Sequence, residues 1–166
     1  MKKNVFQIFI VAIIIILIGV LISFSQKRKP QFELVKSEAK QILKLIDRAG
    51  DLALEAEKAA PNPLAYGIFF NFDRAILFAD KNENKIFDDE IISEYQLKEN
   101  IRLNQAKIVY YIPHKKDIEF CDQSGQCHGD LHPTVGIADI KTGRAMEFRF
   151  EQKTGKVELR EVVDSY

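Results

Sequence analysis

The sequence predicts an α+β fold: a long N-terminal helix, transmembrane in its first half and amphipathic in its second, packed on an antiparallel β-sheet. Three observations predict it. Val5 to Phe24 is apolar, broken only by Gln7 and Ser23. A helical stripe follows and stops at Pro61-Asn62-Pro63. From there to the C-terminus, β-rich runs alternate with turn residues.

The chain has 166 residues, 46% hydrophobic and 29% charged, which suits one folded domain rather than a disordered polymer. The formal net charge is zero and gives no support to nucleic-acid binding. The charge is unevenly spread. Lys2, Lys3, Lys27, Arg28 and Lys29 flank the apolar leader with no acidic residue among the first 29. The remaining 137 residues carry 19 basic and 24 acidic groups, a net of −5.

As a helix, the apolar leader would rise about 30 Å, the thickness of a bilayer's hydrocarbon core. A cleaved secretory signal would be shorter and would end in small residues, whereas Lys27-Arg28-Lys29 resembles a membrane stop. The leader therefore reads as a membrane anchor over residues 1–29, with Val5, Ile10, Ile15, Gly19 and Phe24 on the membrane helix. Basic residues at both ends leave its orientation nearly tied. Pro30 marks a kink or break after it.

An amphipathic helix is expected over residues 30–60. Val35, Ala39, Ile42, Ile46, Ala49 and Ala53 recur at spacings of four and three, which places them on one face for packing against the sheet or other subunits. Lys36, Glu38, Lys40, Lys44, Asp47 and Glu55 are expected on the wet sides. Residues 61–166 are expected to form the sheet, so that 30–166 make one extracytoplasmic domain. Strands are expected near 65–72, 75–79, 91–97, 108–112, 117–121, 135–140, 146–150 and 157–163. Lys141-Thr142-Gly143-Arg144 and Lys153-Thr154-Gly155-Lys156 each supply a glycine for a tight hairpin. Between them, Met146, Phe148 and Phe150 alternate with Glu147, Arg149 and Glu151, one face apolar and the other charged.

This layout resembles type IV pilins and the pseudopilins of type II secretion, and is most similar to the H-type minor pseudopilins. The residues that carry the likeness are Ser37-Glu38 to Leu54 on the helix, and Tyr66-Gly67-Ile68-Phe69-Phe70 opening the sheet. Ile76-Leu77-Phe78-Ala79-Asp80 then leads into Asn82 to Asp88, and Thr154-Gly155-Lys156-Val157-Glu158-Leu159 closes the fold. The resemblance implies a pilin-like structural subunit of a pilus or secretion filament, not an enzyme. Its implied partners are membrane lipid and other pilin-like subunits, met through the N-terminal helix. Val5 and Ile10 stand where that family has the glycine and glutamate of its processing signal, so the motif is degenerate. That departure favours an alternative, an unprocessed membrane-anchored binding module that does not polymerise. In either case the expected localisation is a single-pass inner-membrane protein with an extracytoplasmic C-terminal domain, incorporated into a surface filament where it assembles.

Two constellations carry chemistry. Asp80, Asn82, Asn84 and Asp88 fill the first, third, fifth and ninth places of a calcium loop, and the backbone carbonyl of Ile86 falls at the seventh. Ca²⁺ is thus a candidate ion, although Lys85 stands where such a loop wants glycine and Ile91 holds the twelfth place. The competing reading is an Asn-rich turn that needs no metal. Cys121 and Cys127 enclose a turn-forming Asp122-Gln123-Ser124-Gly125-Gln126 and suit a disulfide, which places the domain in an oxidising compartment. A Cys₂His₂ zinc site with His128 and His132 competes with it. Ser124 lacks the strand–turn–helix context of a catalytic nucleophile.

Overall fold

The computed structural model describes residues 2–59, 65–82, 84–87, 90–112, 117–129 and 133–162, without the side chains of 2–12, 19–31, 56–59 and 128. Helix α1 spans Lys2–Ala59. It is followed by β1 (Ala65–Asn71), β2 (Arg74–Asp80), β3 (Glu90–Gln96), β4 (Ile101–Leu103), β5 (Lys107–Tyr111), β6 (Ile118–Cys121), β7 (Cys127–His128), β8 (Thr134–Asp139), β9 (Ala145–Phe150) and β10 (Val157–Val162).

Among the described residues the single sheet expected from the sequence is corrected to two, and the fold is mainly β. One sheet has six strands in the order β3-β2-β1-β5-β6-β7, and the other has four in the order β10-β9-β8-β4. All the pairings are antiparallel. The physical reason is that a period-two pattern shows which face of a strand is apolar but not which strand pairs beside it. The β8–β9–β10 meander forms a sheet of its own, and the short β4 pairs with β8 instead of extending the larger sheet. Backbone bonds stitch the sheets at their margins. Leu103 N–H donates to the Phe72 carbonyl at 2.9 Å, and Ile118 N–H to the Gln152 carbonyl at 2.9 Å.

The expected membrane-spanning helix is also corrected, and with it the single-pass localisation. Among the described residues, no helix is long and apolar enough to cross a membrane. Ile15 is 64% exposed. The side chains of Val5, Ile10, Gly19 and Phe24 lie outside the described residues. Nor does α1 break at Pro30. Proline inside a helix forfeits one hydrogen bond and crowds the preceding turn, a cost that does not end the helix here.

Over its second half, α1 buries one stripe. Val35, Ala39, Ile42, Ile46, Ala49 and Ala53 are each 0–1% exposed. They share one core with the inward side chains of both sheets, among them Ile68, Phe70, Leu77 and Val109 of the larger and Val135, Ile137, Met146 and Phe148 of the smaller. Alanine at three of these six positions lets the helix backbone approach the sheets closely. Glu38, expected on a wet side, is 1% exposed. It accepts hydrogen bonds from the Tyr95 hydroxyl at 3.0 Å and Lys98 N–H at 3.3 Å, and Lys98 Nζ lies 3.2 Å away.

The two Lys-Thr-Gly turns reverse the chain on left-handed glycines, with φ of 70° at Gly143 and 64° at Gly155. Asp139 secures the first turn by accepting from Lys141 N–H at 2.8 Å. The larger sheet is apolar on both faces. On the face away from α1, a second cluster gathers Ala65, Phe78, Ile108, Tyr110 and Cys121, with Phe69, Phe87 and Cys127 packed against it. That face carries the loop after β2.

Candidate functional site

Strand β2 ends at Asp80, and the following residues fold back over the outer face of the six-stranded sheet. Phe87 anchors the far end of the described loop. Its ring stacks on Phe69 at 5.0 Å and meets Phe78 edge-on at 5.3 Å. Phe78 in turn lies over Gly67, its registered partner on β1, where a methyl group would come within 2.4 Å of the ring. Glycine is therefore required there to seat the aromatic floor of the loop.

The loop itself is wound by its own polar side chains. Asp80 Oδ2 accepts from Lys85 N–H at 2.8 Å. Asn82 Oδ1 accepts from Asn84 N–H at 3.0 Å, and Asn84 Oδ1 from Ile86 N–H at 2.8 Å. Short polar side chains that bond backbone two residues on favour such turns over regular structure. Lys85 takes a left-handed φ of 63°. Its ammonium pairs with Glu119 on β6 and lies 5.6 Å from the Tyr110 ring centroid. Asp80, Asn82, Asn84 and Ile86 of the sequence-derived calcium set thus all take part in the local bonds of this loop. Asp88 lies outside the described residues.

Beside the loop, Cys121 and Cys127 are joined by a disulfide. Their ligand atoms and a Glu119 carboxylate oxygen lie within 4.8 Å of one another. Sulfurs bonded to each other are not available as thiolate ligands, so the competing zinc reading loses both cysteines. The side chain of His128 and all of His132 lie outside the described residues. Inside the ring, Asp122 Oδ1 accepts from Ser124 N–H at 2.9 Å, Ser124 Oγ at 2.6 Å and Gln126 N–H at 3.0 Å. Ser124 is therefore part of a turn. Gly125 has a φ of 79°, and a methyl group there would lie 2.6 Å from the Asn84 carbonyl oxygen. The ring packs directly against the loop. Serine at both cysteines is expected to cost about 2 kcal/mol by freeing the closed ring in the unfolded chain. Calorimetry would register this as a lower melting midpoint, and an unchanged midpoint would show that the ring adds no stability.

A concavity of about 360 Å³ lies between α1 and the β9–β10 turn, lined in part by Asp47, Asp51, Tyr111 and Lys156. Partial burial, then the neighbouring charge of Asp51, raises the Asp47 carboxyl above its ordinary value. Burial, then the charge of Asp47, raises the Tyr111 hydroxyl. Tyr111 Oη is buried with no hydrogen-bond partner among the described residues. Sequence reasoning missed this groove because Asp47 and Asp51 occupy ordinary wet positions of an amphipathic helix, and only the meander's turn makes them a wall.

No protein-family model matches the chain, and no curated protein or solved structure is similar to it.

Proposed function

We propose that this chain is a pilin-like structural subunit that assembles with other copies through the N-terminal half of α1, while its β-rich head presents an outer surface. The observation that supports this most is Ile13–Ile18. These six consecutive aliphatic residues are each 46–65% exposed. At about 100° per residue, six consecutive positions encircle the helix more than once. A groove on a single partner covers one side of a helix, whereas a bundle of equivalent helices covers every side. At roughly 2 kcal/mol for full burial of each side chain, covering the exposed half of all six contributes on the order of 6 kcal/mol per subunit. That exceeds what exposed ion pairs supply, about 0–1 kcal/mol each.

The test is sedimentation of the full chain, with electron microscopy of the pelleted fraction. Wild type is expected to form assemblies of regular diameter. Glutamate at both Ile15 and Ile16 is expected to dissolve them into monomers, because each new charge would sit inside the bundle. The melting midpoint of the head should stay unchanged. A monomeric wild type, or a double variant that assembles equally well, overturns the proposal. The second reading, a binding module that does not polymerise, would then take its place, with the Asp80 loop as its binding feature.

A further inference from the structure

We propose that the Asp80–Ile86 loop binds a calcium ion, with Asp80 as the anchoring carboxylate. Asp80 itself is the observation that requires a ligand. Its side chain is 0% exposed, and Oδ1 has no hydrogen-bond partner among the described residues. Oδ2 accepts from Lys85 N–H, so the carboxylate is engaged by the backbone of the loop that follows it. A buried carboxylate oxygen left without a partner is costly, and a bound cation removes that cost. The lysines of the loop are committed elsewhere. Lys85 Nζ pairs with Glu119, and Lys81 Nζ lies 2.8 Å from Glu90.

The rest of the loop supplies the chemistry that calcium takes. Its ligands are hard oxygens, six to eight in number, drawn from carboxylates, amide side chains, backbone carbonyls and water. Asp80, Asn82 and Asn84 stand at alternate positions. Each accepts a backbone N–H of the loop through a side-chain oxygen. The backbone carbonyl of Ile86 follows at the seventh place, and water completes the shell. The sixth place of such a loop makes a sharp turn for which glycine is the usual residue. Here Lys85 makes it, with φ of 63°, and its side chain is held by Glu119 and Tyr110. The sequence-level objection to lysine at this place is therefore met by its conformation. Magnesium demands near-ideal octahedral geometry and sheds water reluctantly, so a loop of amide and carbonyl oxygens around one carboxylate selects calcium. The low ligand charge places the affinity in the weak range of about 10⁻⁴–10⁻³ M.

Calorimetry of the full chain tests this in EDTA, in calcium chloride and in magnesium chloride, with isothermal titration of calcium beside it. At about 10 mM calcium the melting midpoint is expected to rise by roughly 5 °C over that in EDTA, with a smaller response to magnesium. Asp80→Asn is expected to abolish the rise. Because Asp80 is buried, Asn82→Ala provides a second reading at an exposed position. It should fold as the wild type does and bind calcium about tenfold more weakly. A wild type with neither a rise nor a titration heat overturns the proposal. So does a folded Asp80→Asn that keeps the full rise, or an Asn82→Ala that binds as tightly as wild type. If Asp80→Asn fails to fold, Asn82→Ala decides alone.

Discussion

Phe150→Ala is expected to destabilise the head by about 3–5 kcal/mol, the range for removing a fully buried aromatic ring and leaving its cavity. The effect should sit near the top of that range because of where the ring lies. Phe150 belongs to β9 of the smaller sheet and is 0% exposed. It meets Phe120 of β6 edge-on at 4.9 Å and Phe70 of β1 edge-on at 6.2 Å, both in the larger sheet. Phe148, two residues earlier, approaches the same Phe70 ring at 6.4 Å. The seam between the sheets is therefore aromatic, and edge-to-face pairs add about 0.5–1.5 kcal/mol each beyond area burial. A domain of this kind is stable by only about 5–15 kcal/mol in total. The variant should lose roughly 10 °C in melting midpoint. Phe72→Ala, at a position 56% exposed, is expected to change stability by less than about 0.5 kcal/mol. Equal midpoints for the two variants would show that the sheets are not joined through this ring.

The seam also marks where sequence reading stops. The alternation of Met146, Phe148 and Phe150 is legible because every second side chain of a strand shares a face, and all three are buried. The turns at Gly143 and Gly155 are legible because few residues other than glycine tolerate a positive φ. The partner of that apolar face is not legible, since register and sheet membership depend on residues far away in the chain. Hence one sheet is expected where two form. Strand β4 is three residues long and β7 two, too short for any period to show. The loop after β2 is partly legible. The alternate oxygens of Asp80, Asn82 and Asn84 stand out, whereas the burial of Asp80 follows only from the outer apolar face of the larger sheet. The groove at Asp47 and Tyr111 leaves no mark in the sequence at all.

Glu38 is a different kind of miss, and its replacement is expected to have the second large effect. It reads as a wet residue because glutamate is rarely buried without a partner. Its position carried a signal, however. Val35, Glu38, Ile42, Leu45, Ala49 and Leu52 step by three and four along α1, so Glu38 stands on the buried stripe. Its carboxylate accepts from the Tyr95 hydroxyl on β3 and from the backbone of Lys98 just beyond that strand. Glu38→Ala is expected to cost about 3 kcal/mol, because it strands two donors at a helix–sheet contact and opens a cavity. The ammonium of Lys98 is largely exposed and adds little to this. Glu38→Gln keeps the shape and should cost less. Alkali should distinguish the variants further. Burial first, then the hydrogen bond to Glu38 and its negative charge, push the Tyr95 hydroxyl up to about 12 from its ordinary 10. The unfolded chain therefore releases this proton before the folded one does. The stabilisation is complete below pH 10 and is lost as pH rises from about 10 through about 12. Tyr111, raised chiefly by its own burial, contributes in the same direction. Urea unfolding across that window should show a falling midpoint for wild type and a shallower fall for Glu38→Ala, in which Tyr95 faces neither the bond nor the charge. Parallel curves for the two proteins would mean that Glu38 does not hold β3 to the helix through the tyrosine.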